Sequence, residues 1–206
     1  MAINTFKKNG YQIIREAITK DVAIFAYNYL RIKREVLSTF INEKYISPYS
    51  EDWGLFNDKQ APGCFSHYGD IAMETLLLMV QPLIEKKIKT QLTPTYAYTR
   101  IYNKASELKK HKDRFSCEIS CTMHLGGDKK WPIYLQKNKK DIPIYLNAGD
   151  LLIYKGQEIE HWRNPYLGRE YAQVFLHYND ASTIRAAENI YDTRKHLGLP
   201  TNFKKR

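Results

Sequence analysis

The part of the sequence after Pro94 consists of short segments that are typical of β-strands. Runs of β-branched and aromatic residues recur there, including TYAYTRIY, FSCEISCTMHL, DLLIYKG and EYAQVFLHY. Turn signals such as GGDKK, KNKKD, NAGD and NPYLG separate these runs. Short strands at regular intervals of this kind predict a β-sandwich or a β-barrel.

Helices are predicted ahead of that region. Residues 9–18, NGYQIIREAI, have the pattern of a short strand that follows a turn. From Thr19 to about Phe40, apolar residues recur at helical spacing, and Thr19 or Asp21 is the expected N-cap. The apolar positions that define this spacing are 22, 25, 29, 32, 36 and 40.

A second helix is predicted from near Asp70 to about Leu92, with a bend at Pro82. Between the two helices, residues 44–69 are rich in Pro, Gly, Tyr and Trp, which predicts an ordered loop. We therefore expect two helices, joined by a long loop, before the β-strands begin.

Together these segments predict a single α+β domain over residues 1–206, because the chain is long enough for one substantial core. A helical N-terminal part covers about 1–93, a β-core about 94–180, and a C-terminal helix with a basic tail 181–206. We expect the N-terminal helices to pack on one sheet of the β-core.

Cysteine content and apolar runs favour a cytoplasmic protein. The three cysteines, at positions 64, 117 and 121, are odd in number and lack paired zinc-ligand spacing, as in a reducing compartment. The longest nearly apolar run, IAMETLLLMV, is too short for a membrane span and contains Glu74. The N-terminus MAINTFKKNG has no apolar core of a secretion signal.

The charge is strongly basic, with 32 Lys and Arg against 22 Asp and Glu, or +10. This balance suits a polyanionic partner, such as nucleic acid, or an acidic substrate. A solvated basic surface is the favoured interpretation, because no segment closely interleaves base-stacking aromatic residues with arginines. Nucleic acid is therefore an open but not a favoured partner.

The stretch HKDRFSCEIS, residues 111–120, contains a histidine and an aspartate separated by one residue. If this stretch is a strand, His111 and Asp113 face the same side, because side chains alternate between the two faces. A third polar residue, His161, is predicted near the end of a later strand. Two imidazoles and one carboxylate are the facial triad of non-haem Fe(II) oxygenases, and they leave three positions of an octahedral ion open.

In this order of motifs the sequence resembles the Fe(II)/2-oxoglutarate-dependent dioxygenases, and most of all their prolyl-4-hydroxylase-like branch. The resemblance is strongest over residues 96–178, where GDLLIYKGQEIEHW resembles the Gly-Asp turn and strand that lead to the distal histidine. It implies a double-stranded β-helix, or jelly roll, with His111, Asp113 and His161 as Fe(II) ligands and as the catalytic centre. The other histidines, at positions 67, 124, 177 and 196, have no ligand-spaced partner and are interpreted as structural.

The resemblance also implies residues that bind 2-oxoglutarate. Tyr102 precedes His111 as a tyrosine of the preceding strand does in prolyl hydroxylases. The cation that pairs with the far carboxylate aligns with Arg169 at the start of the last strand, and this arginine is favoured. Arg169 is closer to His161 in sequence than the resemblance implies, so Arg163 is a second candidate.

The implied activity is hydroxylation of a C–H bond with Fe(II), 2-oxoglutarate and O₂. The expected substrate is a prolyl or other amino-acid side chain in a protein or peptide, or else a small molecule. One alternative is a nucleic-acid oxidative demethylase, favoured by the charge and by KKHKDR at the site. Phe175 stands where those enzymes have a further arginine. Another alternative is a non-catalytic binding module of the same fold.

Overall fold

Two antiparallel β-sheets form the centre of the protein, in a computed structural model that describes residues 5–204. The strands are β1 (Tyr11–Ile14), β2 (Phe65–Tyr68), β3 (Leu92–Asn103), β4 (Leu108–His111), β5 (Ile119–Gly127), β6 (Ile133–Lys137), β7 (Lys140–Ile144), β8 (Leu151–Lys155), β9 (His161–Arg163) and β10 (Glu170–Asp180). The larger sheet has the order β1-β8-β5-β10-β3-β2, and the smaller sheet has the order β4-β9-β6-β7.

The path of the chain between the sheets identifies the architecture. From β3 onward, β3, β5, β8 and β10 lie in the larger sheet, and β4, β6, β7 and β9 lie in the smaller one. The chain thus crosses repeatedly from one sheet to the other, as in a double-stranded β-helix. This confirms the predicted fold class, with β1 and β2 as additional edge strands of the larger sheet.

The helices are α1 (Thr5–Asn9), α2 (Lys20–Asn42), α3 (Ile71–Ile88) and α4 (Ile184–Glu188). Thr19 caps α2, and its hydroxyl accepts a hydrogen bond from the Val22 amide at 3.4 Å. Asp70 caps α3 in the same way through the Met73 amide at 3.1 Å. Both caps stand where the sequence predicts a helix to begin.

Other boundaries differ from the prediction. α3 ends before Leu92 because Lys89 adopts a left-handed conformation (φ 58°), which stops the helix and lets β3 begin at Leu92. β2 lies within the segment predicted as a loop. In the C-terminal tail, the predicted helix is confirmed as the short α4, followed by a turn in which Tyr191 and Asp192 adopt left-handed conformations (φ 57° and 56°). Residues 205 and 206 of the predicted basic tail lie outside the described residues.

α2 and α3 pack on the outer face of the larger sheet, as predicted. α2 forms as predicted, but its buried face is shifted by one residue from the apolar positions on which the prediction is based. Phe25 and Ile32, two of those positions, are 70% and 66% exposed. The buried side includes Ala23 and Ala26, whose small side chains allow the helix to approach the sheet closely. Among the described helices, none is both long and apolar enough to cross a membrane.

A second buried region lies between the two sheets and surrounds the candidate site. Leu135 and Ile144 of the smaller sheet contact Leu152 and Tyr154 of the larger one. Farther along, an aromatic cluster joins Tyr102, Trp131, Tyr166, Tyr171 and Phe175. These two clusters contribute Phe175 and Tyr154 to the lining of the site described next.

Candidate metal centre

His111 and His161 are direct neighbours across the smaller sheet. His111 is the last residue of β4, His161 is the first of β9, and the two residues are paired in the β-ladder. Their ring centroids are 4.3 Å apart. Each imidazole Nε2 lies 3.6 Å from Oδ1 of Asp113. One ligand atom from each of the three residues thus lies within 4.8 Å of the other two.

Asp113 reaches this position by a route that the sequence pattern does not predict. Residues 112–114 have no regular structure, and Phe115–Cys117 form a 3₁₀ turn, so the interpretation of HKDRFSCEIS as a continuous strand is wrong. The chain leaves the sheet at His111 because it must cross to β5 in the other sheet. Asp113 lies in this crossing segment, and its amide donates to the Gly156 carbonyl at 2.9 Å.

Backbone carbonyls orient both imidazole rings. His111 Nδ1 donates to the carbonyl of Lys109 at 2.7 Å, and His161 Nδ1 donates to the carbonyl of Ile159 at 3.1 Å. A ring that donates through Nδ1 keeps the lone pair of Nε2 free for a metal ion. The two free lone pairs and the Asp113 carboxylate point to a common centre.

The electrostatics suit a divalent cation. Burial alone would raise the pKa of Asp113, but the neighbouring imidazoles of His111 and His161 lower it to about 2. Burial lowers the pKa of His161, whereas the neighbouring Asp113 carboxylate raises the pKa of His111. At neutral pH the centre offers an ionised carboxylate and a neutral His161, which are the forms that coordinate metals.

A cavity of about 440 Å³ opens beside the three residues. It is lined by polar and aromatic side chains and reaches from the metal-binding side chains to the loop before β2. The lining consists of Asp58, Gln60, Tyr96, Tyr98, Arg100, Leu108, His111, Lys112, Asp113, Arg114, Cys117, Tyr154, His161, Phe175 and His177. A small molecule or a side chain fits a space of this size.

Arg169, the favoured candidate for the 2-oxoglutarate cation, lies on the surface, a position that is unsuited to pairing with a buried carboxylate. Its side chain is 89% exposed, and its Nε lies 3.5 Å from Asp128 on the surface. β10 begins one residue later, at Glu170, so Arg169 belongs to the preceding turn and does not share the inward face of the strand. Tyr171 and Gln173 do share that face and are buried.

Of the two candidates for the 2-oxoglutarate cation, Arg163 is the buried one. It is the third residue of β9, on the same side as His161, and is 1% exposed. Its Nη1 donates to the Trp131 carbonyl at 2.6 Å, but Nε and Nη2 have no hydrogen-bond partner. The Tyr171 hydroxyl, in the same cluster, is also buried without a partner. Arg163 is thus a buried guanidinium with two free nitrogens, and no carboxylate of the described residues lies within ion-pair distance of it. Such a group is suited to bind an anionic ligand.

Tyr102 is buried in the aromatic cluster that surrounds Arg163. Its ring contacts Trp131 edge-on at 4.9 Å, and Trp131 stacks against the Arg163 guanidinium at 4.8 Å. The Tyr102 hydroxyl accepts a hydrogen bond from Arg100 at 3.0 Å. Tyr102 and Arg163 are thus brought to the same region, whereas Arg169 is excluded from it.

Arg100 is a cavity residue that sequence analysis missed. It alternates with Tyr98 and Tyr102 along β3, and this alternation is a signal that places all three on one face. Its guanidinium pairs with Asp58, which also accepts from the Tyr98 hydroxyl. Because Asp58 neutralises it, Arg100 is less suited than Arg163 to receive a ligand carboxylate.

His177, also without a predicted site role, lines the cavity and approaches the metal-binding residues through Ser120. Its Nδ1 lies 3.1 Å from Ser120 Oγ, and Ser120 Oγ lies 2.6 Å from Asp113 Oδ2. No sequence spacing marks this contact, because β5 and β10 become neighbours only in the folded sheet. His67, His124 and His196 do not line the cavity.

No protein-family profile and no curated protein matches the sequence. Solved structures do match the fold. A prolyl-4-hydroxylase from Pseudomonas putida is 14% identical, with a TM-score of 0.63 over 87% of this chain and 97% of that one. A prolyl hydroxylase from Trichoplax adhaerens, in complex with a peptide of hypoxia-inducible factor, is 16% identical, with a TM-score of 0.59 over 87% and 88%.

A third similar structure is HygX from Streptomyces hygroscopicus with nickel and 2-oxoglutarate bound. It is 10% identical, with a TM-score of 0.60 over 86% of this chain and 85% of that one. Another structure of HygX also contains hygromycin B. At these identities the similarity concerns the fold. The chain has the double-stranded β-helix fold of the Fe(II)/2-oxoglutarate-dependent oxygenases.

Proposed function

We propose that this protein is an Fe(II)- and 2-oxoglutarate-dependent oxygenase that hydroxylates a C–H bond. The observation that carries the proposal is the convergence of His111, Asp113 and His161 on one centre within this fold. Two neutral nitrogen donors and one carboxylate are the donor set of non-haem Fe(II) sites with open positions. The bound iron would supply the activation of O₂, which protein side chains cannot perform.

The chain also offers a place for 2-oxoglutarate. His161 and Arg163 are alternate residues of one strand, so their side chains face the same way, roughly 7 Å apart along β9. A five-carbon dicarboxylate would span such a distance, and Arg163 would then pair with the carboxylate far from His161. Arginine suits this role because its planar fork can grip a carboxylate through two nitrogens, and Nε and Nη2 are available.

For the substrate we propose a prolyl or other amino-acid side chain of a protein or peptide. The similarity to two prolyl hydroxylases, one of them in complex with a peptide, supports this choice. A small-molecule substrate is the second candidate, because HygX binds hygromycin B in the same fold and the cavity here is small and polar.

Only the basic charge of the protein supports the hypothesis of a nucleic-acid substrate. Of the three lysines beside the site, Lys110 is engaged by the protein itself: it lies 3.5 Å from Glu160 and over the ring of Trp162. Lys112 lines the cavity. If the substrate is anionic, neutralising Lys109, Lys110 and Lys112 together would weaken its binding and reduce the salt dependence of that binding.

Mass spectrometry tests the substrate class. The protein is incubated with Fe(II), 2-oxoglutarate and either a peptide panel or methylated oligonucleotides. Peptides are searched for a gain of one oxygen atom, and oligonucleotides for loss of the methyl group, which leaves as formaldehyde after hydroxylation. The proposal predicts oxidised peptide and unchanged oligonucleotide. Succinate formed without either product shows turnover that is uncoupled from these substrates, and a small molecule is then the next candidate to add. If no succinate forms under any condition, the remaining interpretation is a non-catalytic binding module of the same fold.

A further inference from the structure

The carboxylate of Asp113 is held by groups outside the metal-binding set. Asp113 lies in an irregular segment between two sheets, so regular secondary structure does not fix its side chain. Its two oxygens nevertheless have different surroundings. Oδ1 lies 3.6 Å from both imidazole nitrogens, whereas Oδ2 accepts a hydrogen bond from Ser120 at 2.6 Å.

Ser120 is a rigid support for this contact. It lies in β5, between two neighbouring strands of the larger sheet, and is 0% exposed. Its hydroxyl oxygen has three neighbours: Asp113 Oδ2 at 2.6 Å, the Cys117 carbonyl at 2.9 Å and His177 Nδ1 at 3.1 Å. A hydroxyl has a single proton, and the ionised carboxylate is both the nearest and the strongest acceptor.

The direction of the remaining hydrogen bond follows from this. Because the proton of Ser120 is donated to Asp113, His177 Nδ1 must be the donor to the serine oxygen. The His177 ring also contacts the Tyr96 ring in a tilted arrangement, with centroids 4.6 Å apart. The hydrogen bonds thus run from His177 to Ser120 and from Ser120 to Asp113.

Gly156 packs against the Asp113 carboxylate from another side. Its carbonyl accepts the Asp113 amide at 2.9 Å. A Cβ atom at this position would overlap Asp113 Oδ2 and the Cys117 carbonyl, and would lie 2.7 Å from Ser120 Oγ. The approach is so close that any larger residue at position 156 displaces the carboxylate.

We infer that Ser120, oriented by His177 and packed against Gly156, is a positioning residue that makes Asp113 a ligand through one oxygen. The inference rests on the proposed function. Two imidazoles and one carboxylate oxygen occupy three positions of an octahedral ion and leave three for the co-substrates. A freely rotating carboxylate could place both oxygens on the metal and block one of the positions that 2-oxoglutarate and O₂ require.

Equilibrium binding of Mn(II) to the purified protein, followed by the electron paramagnetic resonance of the free ion, tests this inference. Ser120→Ala is expected to weaken Mn(II) binding about 10- to 100-fold, as loss of a hydrogen-bond partner of a metal ligand typically does. Thr122→Val is the matched control, because Thr122 lies on the same strand and face, is equally buried, and its hydroxyl bonds Gln173 instead. This control should bind Mn(II) like the wild type.

His177→Phe provides a second, independent variant that retains the ring. It should weaken Mn(II) binding less than Ser120→Ala, and it should cause no further loss in the Ser120→Ala background, because it acts through the serine. In the Co(II)-loaded protein, Ser120→Ala should also change the visible absorption, since the number of ligand atoms changes. A purely structural role of Ser120 would leave that spectrum unaltered.

The outcomes separate the inference from the proposed function. The positioning role of Ser120 would be overturned if Ser120→Ala kept the wild-type Mn(II) affinity and Co(II) spectrum. It would also be overturned if the losses of Mn(II) affinity in Ser120→Ala and His177→Phe were additive in the double variant. Either result would leave the metal site intact. If Ser120→Ala does not fold, unchanged affinity and Co(II) spectrum in His177→Phe would overturn the positioning role equally. Failure of the wild type itself to bind Mn(II) or Co(II) would instead refute the proposed function.

Discussion

Arg163 lies two residues after His161 on β9, and both side chains are buried on the same side of the strand. His161 faces Asp113 at 3.6 Å, whereas Arg163 lies deeper, among Trp131 and Tyr171, with two guanidinium nitrogens unpaired. A three-residue strand therefore carries both a candidate metal ligand and the cation that we propose for the far end of a dicarboxylate.

Substitution of Arg163 tests this arrangement. Arg163→Ala should raise the KM for 2-oxoglutarate by the equivalent of roughly 2–5 kcal/mol, because a buried carboxylate would lose its counter-charge. Mn(II) affinity should not change. Arg169→Ala is the control and should resemble the wild type, since that side chain is in solvent. The opposite pattern, with a defect in Arg169→Ala alone, would return the role to Arg169.

A buried ion pair anchors the C-terminal segment. Arg194 Nη2 lies 2.6 Å from Glu74 of α3, and the side chains are 0% and 2% exposed. Glu74→Ala should lower the free energy of unfolding by roughly 3–5 kcal/mol, because it leaves a buried guanidinium without a counter-charge. Urea denaturation measures this change. Lys155→Ala removes the exposed pair with Glu158 and should cost less than roughly 1 kcal/mol; equal losses in the two variants would contradict the prediction.

Stability should fall as the pH drops below the ordinary pKa of histidine. Burial lowers the pKa of His124 to about 4, while an unfolded histidine titrates near 6.5. The contribution of the neutral ring is therefore fully present above pH 6.5 and is lost as the pH falls toward 4, by up to about 3 kcal/mol.

The matched variant for this effect is His124→Phe, which keeps the stacking against Tyr171 but cannot take up a proton. Between pH 6.5 and 4 its unfolding free energy should decline less steeply than that of the wild type. His196→Phe serves as the control at an exposed histidine and should follow the wild-type curve. Parallel curves for all three proteins would show that His124 does not contribute.

Most strands after Pro94, the two long helices and the three residues of the candidate metal centre could be predicted from sequence because each depends on local pattern or on motif order. Thr19 and Asp70 cap helices where expected, and the runs after Pro94 form the two sheets. His111 and His161 converge because they are paired across two strands. A sequence pattern can indicate that the two strands exist, but it does not give the register in which they pair.

Features that depend on long-range packing could not be predicted. Glu74 interrupts an apolar helix, and only the folded C-terminal segment supplies its partner, Arg194. The start of β10 decides whether Arg169 faces inward, and a boundary error of one residue reverses the answer. Ser120 and His177 become neighbours only when β5 and β10 pair.

Iron-dependent turnover of 2-oxoglutarate to succinate is the most direct test of the central claim. The wild type should form succinate only when Fe(II) is present, and His111→Ala and His161→Ala should form none while retaining the far-ultraviolet circular dichroism of the fold. The two substitutions remove ligands but no major part of either hydrophobic core. Normal succinate formation by either variant, or none by the iron-loaded wild type, would contradict the account.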